Sequence, residues 1–287
     1  DHAANNGGAA FVYVRSGTVW SQQAELNASD AGVGDNLGTS ASIEGDDVLV
    51  GASADNIGAT DSGSAYVFVR SGTAWSQQAM LVPSDPVASK LFGHDVSLSG
   101  DTALIGAPGD TPNGAGSGSA YVFVRSGTAW SQQAKLVPSD GSAGDGFGYS
   151  VSIDGDTAAI SALDGEVAVA GSGSAYVFVR TGTTWSEQAE VAASDAFAGD
   201  DFGASLSLSG ETLAVGAPAS NSVGSDAGAA YVFLRNGTTW SQQAKLVGSD
   251  SVANDNFGDP LSLDGNALAV SAFRDDDKGT SSGSTYA

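Results

Sequence analysis

Apolar and polar positions alternate with a period of two along Ala65-Tyr66-Val67-Phe68-Val69-Arg70. Tyr66, Phe68 and Arg70 share one face, and Ala65, Val67 and Val69 the other. β-branched and aromatic residues in such an alternation predict a strand. A Ser-Gly-Thr turn follows, and a second strand opens at Trp75 and runs through Leu81-Val82, so the two form a hairpin. A polar connection beginning Ser-Asp ends at Phe92-Gly93. The strand that follows such a Phe-Gly reads Gly148-Tyr149-Ser150-Val151-Ser152-Ile153 after Phe147. A turn centred on Gly155 then leads to a fourth, the equivalent of Thr102-Ala103-Leu104-Ile105-Gly106-Ala107.

This unit of four strands recurs at a fixed spacing. Arg15, Arg70, Arg125, Arg180 and Arg235 stand 55 residues apart, as do Trp20, Trp75, Trp130, Trp185 and Trp240. A period of this length signals supersecondary units that stack or radiate, and four short strands per unit without helical periodicity describe a propeller blade. The expected fold is therefore all-β, a β-propeller of four-stranded antiparallel blades built from five 55-residue repeats (8–62, 63–117, 118–172, 173–227, 228–282) in one domain spanning 8–282. Residues 1–7 are a polar lead-in and 283–287 begin a sixth copy. The chain opens with the third and fourth strands of a blade and ends with the first and second. The N- and C-terminal strands are thus expected to close one blade, Phe11–Arg15 pairing with Ala267–Ser271. A larger ring or an open array is the alternative.

Phe-Gly heads one strand in four units (Phe92, Phe147, Phe202, Phe257, with Leu37 in the first), and Gly-Ala-Pro ends the next at Gly106-Ala107-Pro108 and Gly216-Ala217-Pro218. This pattern resembles the FG-GAP repeats of integrin α-subunit propellers and of bacterial and archaeal surface proteins. The resemblance covers residues 8–287 and implies a propeller that binds or adheres at a cell surface. Integrin-type repeats often carry an Asp-rich calcium loop between the strand after Phe-Gly and the next one. Here that place holds only tight turns such as Glu44-Gly45-Asp46 and Asp154-Gly155-Asp156. Such a turn does not supply the six or more oxygens that calcium takes.

Composition narrows the partners. Ten basic residues against 33 acidic ones leave a net charge of −23, the wrong sign for neutralising phosphates on nucleic acid or for docking on an anionic membrane. Much of the Asp belongs in turns and strand ends, where it caps the local backbone, and the net charge favours solubility. There are no cysteines, hence no disulfide or thiolate metal site. No apolar run approaches the ~20 residues of a membrane-spanning helix. Sequons stand at Asn27 and Asn236 and matter only in an exported chain.

Candidate chemistry is sparse. The Trp and Tyr columns alternate with Val and Leu and are read as core, each buried ring removing ~150–250 Å² from water. The Arg column is read as structural, paired with an Asp of the polar connection. Asp30/Asp35, Asp140/Asp145, Asp195/Asp200 and Asp250/Asp255 place two carboxylates five apart in one loop, and the second unit breaks the series with Lys90. Asp140, Asp145, Asp195, Asp200, Asp250 and Asp255 are the calcium candidates, with turn caps as the competing reading. No cofactor is expected, and calcium is not required for folding. The acidic run Asp275-Asp276-Asp277 reads as solvated surface. His2 and His94 have no recurring partner, nothing pairs a nucleophile with a base, and no catalytic residue is expected. The leading functional expectation is a secreted or cell-surface binding module without catalysis. Its five variable loops (52–62, 107–117, 162–172, 217–227, 272–282) would meet a protein or a surface glycan. A repeat that self-assembles into a layer or filament, and a lectin, are the alternatives.

Overall fold

The computed structural model describes residues 7–165 and 168–287; His2 and most of the lead-in lie outside them. The described chain is all β. An N-terminal hairpin, β1 (Ala10–Ser16) and β2 (Val19–Leu26), precedes five blades. The first comprises β3 (Leu37–Glu44), β4 (Asp47–Ala52), β5 (Ser64–Ser71) and β6 (Ala74–Leu81). The second comprises β7 (Val96–Ser99), β8 (Thr102–Ala107), β9 (Ser119–Ser126) and β10 (Ala129–Leu136). The third has β11 (Phe147–Asp154), β12 (Thr157–Ala162), β13 (Ser174–Thr181) and β14 (Thr184–Val191). The fourth has β15 (Leu206–Ser209), β16 (Thr212–Ala217), β17 (Ala229–Asn236) and β18 (Thr239–Leu246). The fifth has β19 (Phe257–Asp264), β20 (Ala267–Ala272) and the short β21 (Ser284–Tyr286). Strands within each blade pair antiparallel in chain order.

Each hairpin closes on a two-residue turn whose first residue is Gly, as at Gly72 (φ 66°), between Ser71 and Ala74. That left-handed conformation suits Gly and matches the twist of the strands it joins. The Phe-Gly and Gly-Ala-Pro glycines have a different reason. A Cβ on Gly106 would stand 2.0 Å from the carbonyl oxygen of Gly148, and one on Gly148 would stand 2.3 Å from that of Ser119. The two motifs are the two sides of one close backbone approach between neighbouring blades.

The core lies between blades. Leu49, Val67 and Leu81 of the first blade pack with Phe92, Val96, Ile105 and Tyr121 of the second, and the next two interfaces repeat the arrangement. Phe92, Phe147 and Phe202 each meet the Tyr and Phe of their own blade edge-on, as Phe92 does with Tyr121 at 5.3 Å and Phe123 at 6.0 Å. The innermost strands face a common axial cavity of about 500 Å³, lined by Ser40, Asp95, Ser150, Ser205 and Asp259 among others.

The expected closure by terminal strands is corrected. β20 pairs with β21 through Val270–Tyr286, Ser271–Thr285 and Ala272–Ser284, whereas β1 pairs with β2 in a separate two-stranded sheet. The local partner wins for physical reasons. β21 follows β20 after a short loop, so pairing them costs far less chain entropy than joining strands more than 250 residues apart. It also seats Tyr286 on Phe257, with rings 5.3 Å apart. The hairpin instead buries Val12 and Leu26 on Leu37, Val48 and Val50 of the first blade.

Candidate functional site

The two ends of the propeller differ. At one end sit the tight turns, and here the Arg column finds its partners. Arg180 Nε donates to Asp156 Oδ1 at 2.6 Å, Arg70 pairs with Asp46, and Arg235 with Glu211. Arg125 holds Asp101 and also reaches into the first blade, taking Asp47 with two bonds of 2.7 and 2.9 Å. These carboxylates lie at the turn between the first and second strands of a blade. The polar connection, where the sequence reading placed the partner, lies at the opposite end. Each guanidinium also sits over the Trp of its own hairpin, 5.1–6.0 Å from the ring centroid.

The Trp column lies between blades. Trp75, Trp130 and Trp185 are half-buried and Trp240 is buried, while Trp20 is 63% exposed. Each of the first four donates its indole N–H to a Gln of the preceding unit, Trp130 to Gln78 at 2.9 Å for example.

The other end carries two bands of loops stitched together by backbone hydrogen bonds, as from Ser89 N–H to Thr60 C=O and from Asn254 N–H to Ser225 C=O, both 2.8 Å. Apolar side chains stand on their tips: Val33, Phe197, Val223 and Val252 are 55–69% exposed. Beneath the loops each blade places a Tyr, buried in the first four and half-buried in the fifth, whose hydroxyl is held by carboxylates. Tyr66 donates to Asp30 and Asp55, Tyr176 to Asp140, Tyr231 to Asp195, and Tyr286 to Asp250 and Asp275.

The paired carboxylates thus do two different things. The first of each pair (Asp140, Asp195, Asp250) anchors a Tyr. The second caps its own turn: Asp145 accepts the Ser142 N–H at 2.5 Å, Asp200 that of Phe197 at 2.9 Å, and Asp255 that of Val252 at 2.6 Å. In the fifth blade Asp250 also comes within 4.8 Å of Asp275 and Asp277, a spacing that would suit a metal ion. Asp275, read from sequence as part of a solvated run, is 3% exposed.

The second blade is wired differently. Lys90 is fully buried, its ammonium 2.9 Å from Asp85, 3.3 Å from Asp110 and 2.7 Å from the Tyr121 hydroxyl. Lys135 adds two contacts of 2.7 Å, one to each carboxylate. Burial works against the charge of Asp85 and Asp110, but hydrogen bonds from the lysines prevail and hold both below the usual carboxylate range. Burial likewise works against Lys135, and Asp110 and Asp85 outweigh it, raising its pKa. The third blade has Glu190 at the place of Lys135, and there burial, aided by Asp140, pushes the carboxyl upward. Sequence reasoning missed Asp110, Lys135 and Glu190 as pocket members. Superposing the repeats would have shown the alternation of Lys135, Glu190 and Lys245 at one position.

In the axial cavity Asp95 ties three blades together, accepting from Ser40 Oγ at 2.6 Å and from the Val151 N–H at 2.7 Å. His94 contacts the Tyr149 carbonyl at 3.0 Å. These side chains spend their polar atoms on the scaffold.

Among known proteins, the sequence model described as FG-GAP repeat matches residues 20–68, 75–123, 130–178, 185–233 and 240–287. No curated relative matches the chain.

Proposed function

The chain belongs to the FG-GAP repeat family, and from that premise we propose that it is a non-catalytic binding module working outside the cell or on its surface. Its ligand is a protein or a surface glycan, and it meets the loop face. The observation that carries this reading is the row of exposed apolar tips, Val33, Phe197, Val223 and Val252, on loops whose backbone is pinned from blade to blade. Apolar side chains exposed on loops that a rigid scaffold holds in place are what a binding face offers. The opposite end spends its charged residues on Arg–carboxylate pairs. No helix of the described residues is long and apolar enough to cross a membrane.

The test is capture of cell-surface proteins and glycans on the immobilised chain. Phe197→Asp with Val252→Asp should abolish capture. Thr73→Asp, at the tight-turn end, should leave it intact. Equal capture by both variants contradicts the reading.

Self-assembly is the second reading, and one observation favours it. The N-terminal hairpin exposes Trp20 (63%), and its Tyr13 (53%) borders with Ile43 (61%) an apolar cleft of about 280 Å³ between the hairpin and the first blade. If copies associate through this hairpin, Trp20→Asp will lower the mass seen in light scattering while loop-face capture persists.

A further inference from the structure

The pocket under the third blade's loop holds buried polar atoms that its own residues leave unpaired, and these point to a ligand. In the second blade the equivalent pocket contains two carboxylates, Asp85 and Asp110, and two ammonium groups, Lys90 and Lys135, at 2.7–3.3 Å. Its formal charge is balanced. In the fourth blade Lys245 alone reaches Asp195, at 2.5 Å. The third blade keeps the tyrosine and the first carboxylate, Tyr176 and Asp140, 3.1 Å apart. It puts Asp145 at the place of Lys90, Glu190 at that of Lys135 and Gly165 at that of Asp110. The position thus has three acids and no base, as does the first blade with Asp30, Asp35 and Asp55 near Tyr66 and Met80 at the place of Lys135; what sets the third blade apart is the buried polar atoms left unpaired there.

An independent feature lies inside this pocket. Ser64 and Ser119, in the first two blades, each donate to the carboxylate of Asp55 or Asp110 at 2.6 Å. Their counterpart Ser174 is fully buried, and among the described residues its Oγ makes no hydrogen bond of ordinary geometry, with only the Glu190 carboxyl beside it. That oxygen lies 2.6 Å from where a Cβ on Gly165 would stand, so it faces the position that its siblings' carboxylates fill. Glu190 Oε1 is also buried without a partner, and Ser174 and Tyr176 lie beside that carboxyl. Buried polar atoms are ordinarily satisfied, and orphaned ones call for an explanation.

We propose that this pocket binds one divalent cation, calcium by its ligand type, through Asp140, Glu190 and the Ser174 hydroxyl. All the ligand atoms are hard oxygens at an irregular site, which suits the flexible coordination of calcium better than the strict octahedron of magnesium, and water completes the shell. The cation does for the third blade what Lys90 and Lys135 do for the second. The site is distinct from an integrin-type calcium loop, which would lie at the turn Asp154–Asp156 at the other end of the blade, where Asp156 is committed to Arg180. Glu190 faces Tyr176, Asp140 and Glu187, so binding competes with a proton there and strengthens as the pH rises. The inference stands apart from the loop-face reading, since the pocket lies beneath the loop tips.

The test uses the full chain with Asp250→Asn and Asp277→Asn, which silence the carboxylate cluster of the fifth blade. Calcium is titrated by calorimetry at about 0.15 M salt to screen the diffuse acidic surface, and terbium by luminescence sensitised through Tyr176. One site is expected in this background. Glu190→Gln should weaken it about tenfold or more, and Ser174→Ala by a smaller factor, with circular dichroism unchanged. Because Glu190→Gln removes a buried charge, it should fold at least as well as its parent without calcium. No binding in the background chain, or equal affinity with Glu190→Gln and Ser174→Ala, overturns the proposal.

Discussion

The second and third blades put the same backbone to opposite electrostatic use. Tyr121 and Tyr176 occupy one position of the repeat, both buried, both donating to the first Asp of a polar connection. Around Tyr121 the chain supplies its own cations and the carboxylates are pulled below their usual range. Around Tyr176 it supplies only acids, and Glu190 is pushed above its usual range. Backbone geometry is therefore set by the glycines and aromatics that the blades share and by the Arg–carboxylate pairs of the first four. The pocket beneath the loops is free to vary in charge without disturbing the strands. A repeat protein diversifies where its stacking does not depend on the side chain.

The largest effect should come from breaking the balanced pocket. Lys90→Met leaves Asp85 and Asp110 facing each other with one lysine fewer, and removing one member of a buried charge group typically costs roughly 3–5 kcal/mol. At the matching position Asp145→Ala should cost about 1 kcal/mol, the scale of one turn hydrogen bond. Urea unfolding of the two variants checks the difference, and equal costs would erase the distinction between the blades.

The tyrosines sharpen the comparison at smaller amplitude. The Tyr121 hydroxyl joins Asp85, Asp110 and Lys90, so Tyr121→Phe should cost about 1–3 kcal/mol. Tyr176→Phe gives up the bond to Asp140 and should cost about 1 kcal/mol or less. The ordering in chemical denaturation is the readout.

The smallest effect is in the pH dependence, and its sign differs between the blades. The depressed values of Asp85 and Asp110 contribute stability that is complete above the unfolded carboxylate pKa and is lost as the pH falls through their folded values. Glu190, raised by burial, contributes in the opposite sense: its share is complete below the unfolded pKa and is lost as the pH rises through the folded value. Glu190→Gln should therefore match the parent near pH 4 and become the more stable of the two as the pH rises toward about 7 in chelator. A stability difference independent of pH would contradict this assignment.

Most of the architecture could be read from the sequence because its causes are local and repeat five times. Alternation gives the strands, Gly72 and its mates give the turns, and the Phe-Gly and Gly-Ala-Pro glycines mark where blades touch. Closure could not be read, since it turns on whether three residues, Ser284–Tyr286, outcompete a distant hairpin for Val270–Ala272. The Arg partners were misplaced for a related reason. Strand direction sends Arg180 to the tight-turn end with Asp156, and a reading by loop composition does not track which end a strand reaches. In the pocket, Asp140, Asp195 and Asp250 stood out as acids, but their roles as tyrosine anchors depend on partners 36 residues away. Ser174 and Glu190 carry no local signal and become visible only when the blades are compared position by position.

The account rests on the claim that the third blade has a cation position that its own residues do not fill. Glu190→Lys supplies one, reproducing the arrangement in which Lys245 reaches Asp195 in the fourth blade. The decisive measurement is thermal unfolding of this variant against the parent near pH 7 with EDTA present. The account predicts a higher Tm for Glu190→Lys, by about 2 °C or more per kcal/mol gained, and no further rise when calcium replaces the chelator in the chain that also carries Asp250→Asn and Asp277→Asn. A Tm unchanged or lowered by the lysine would show that the pocket of the third blade needs no cation.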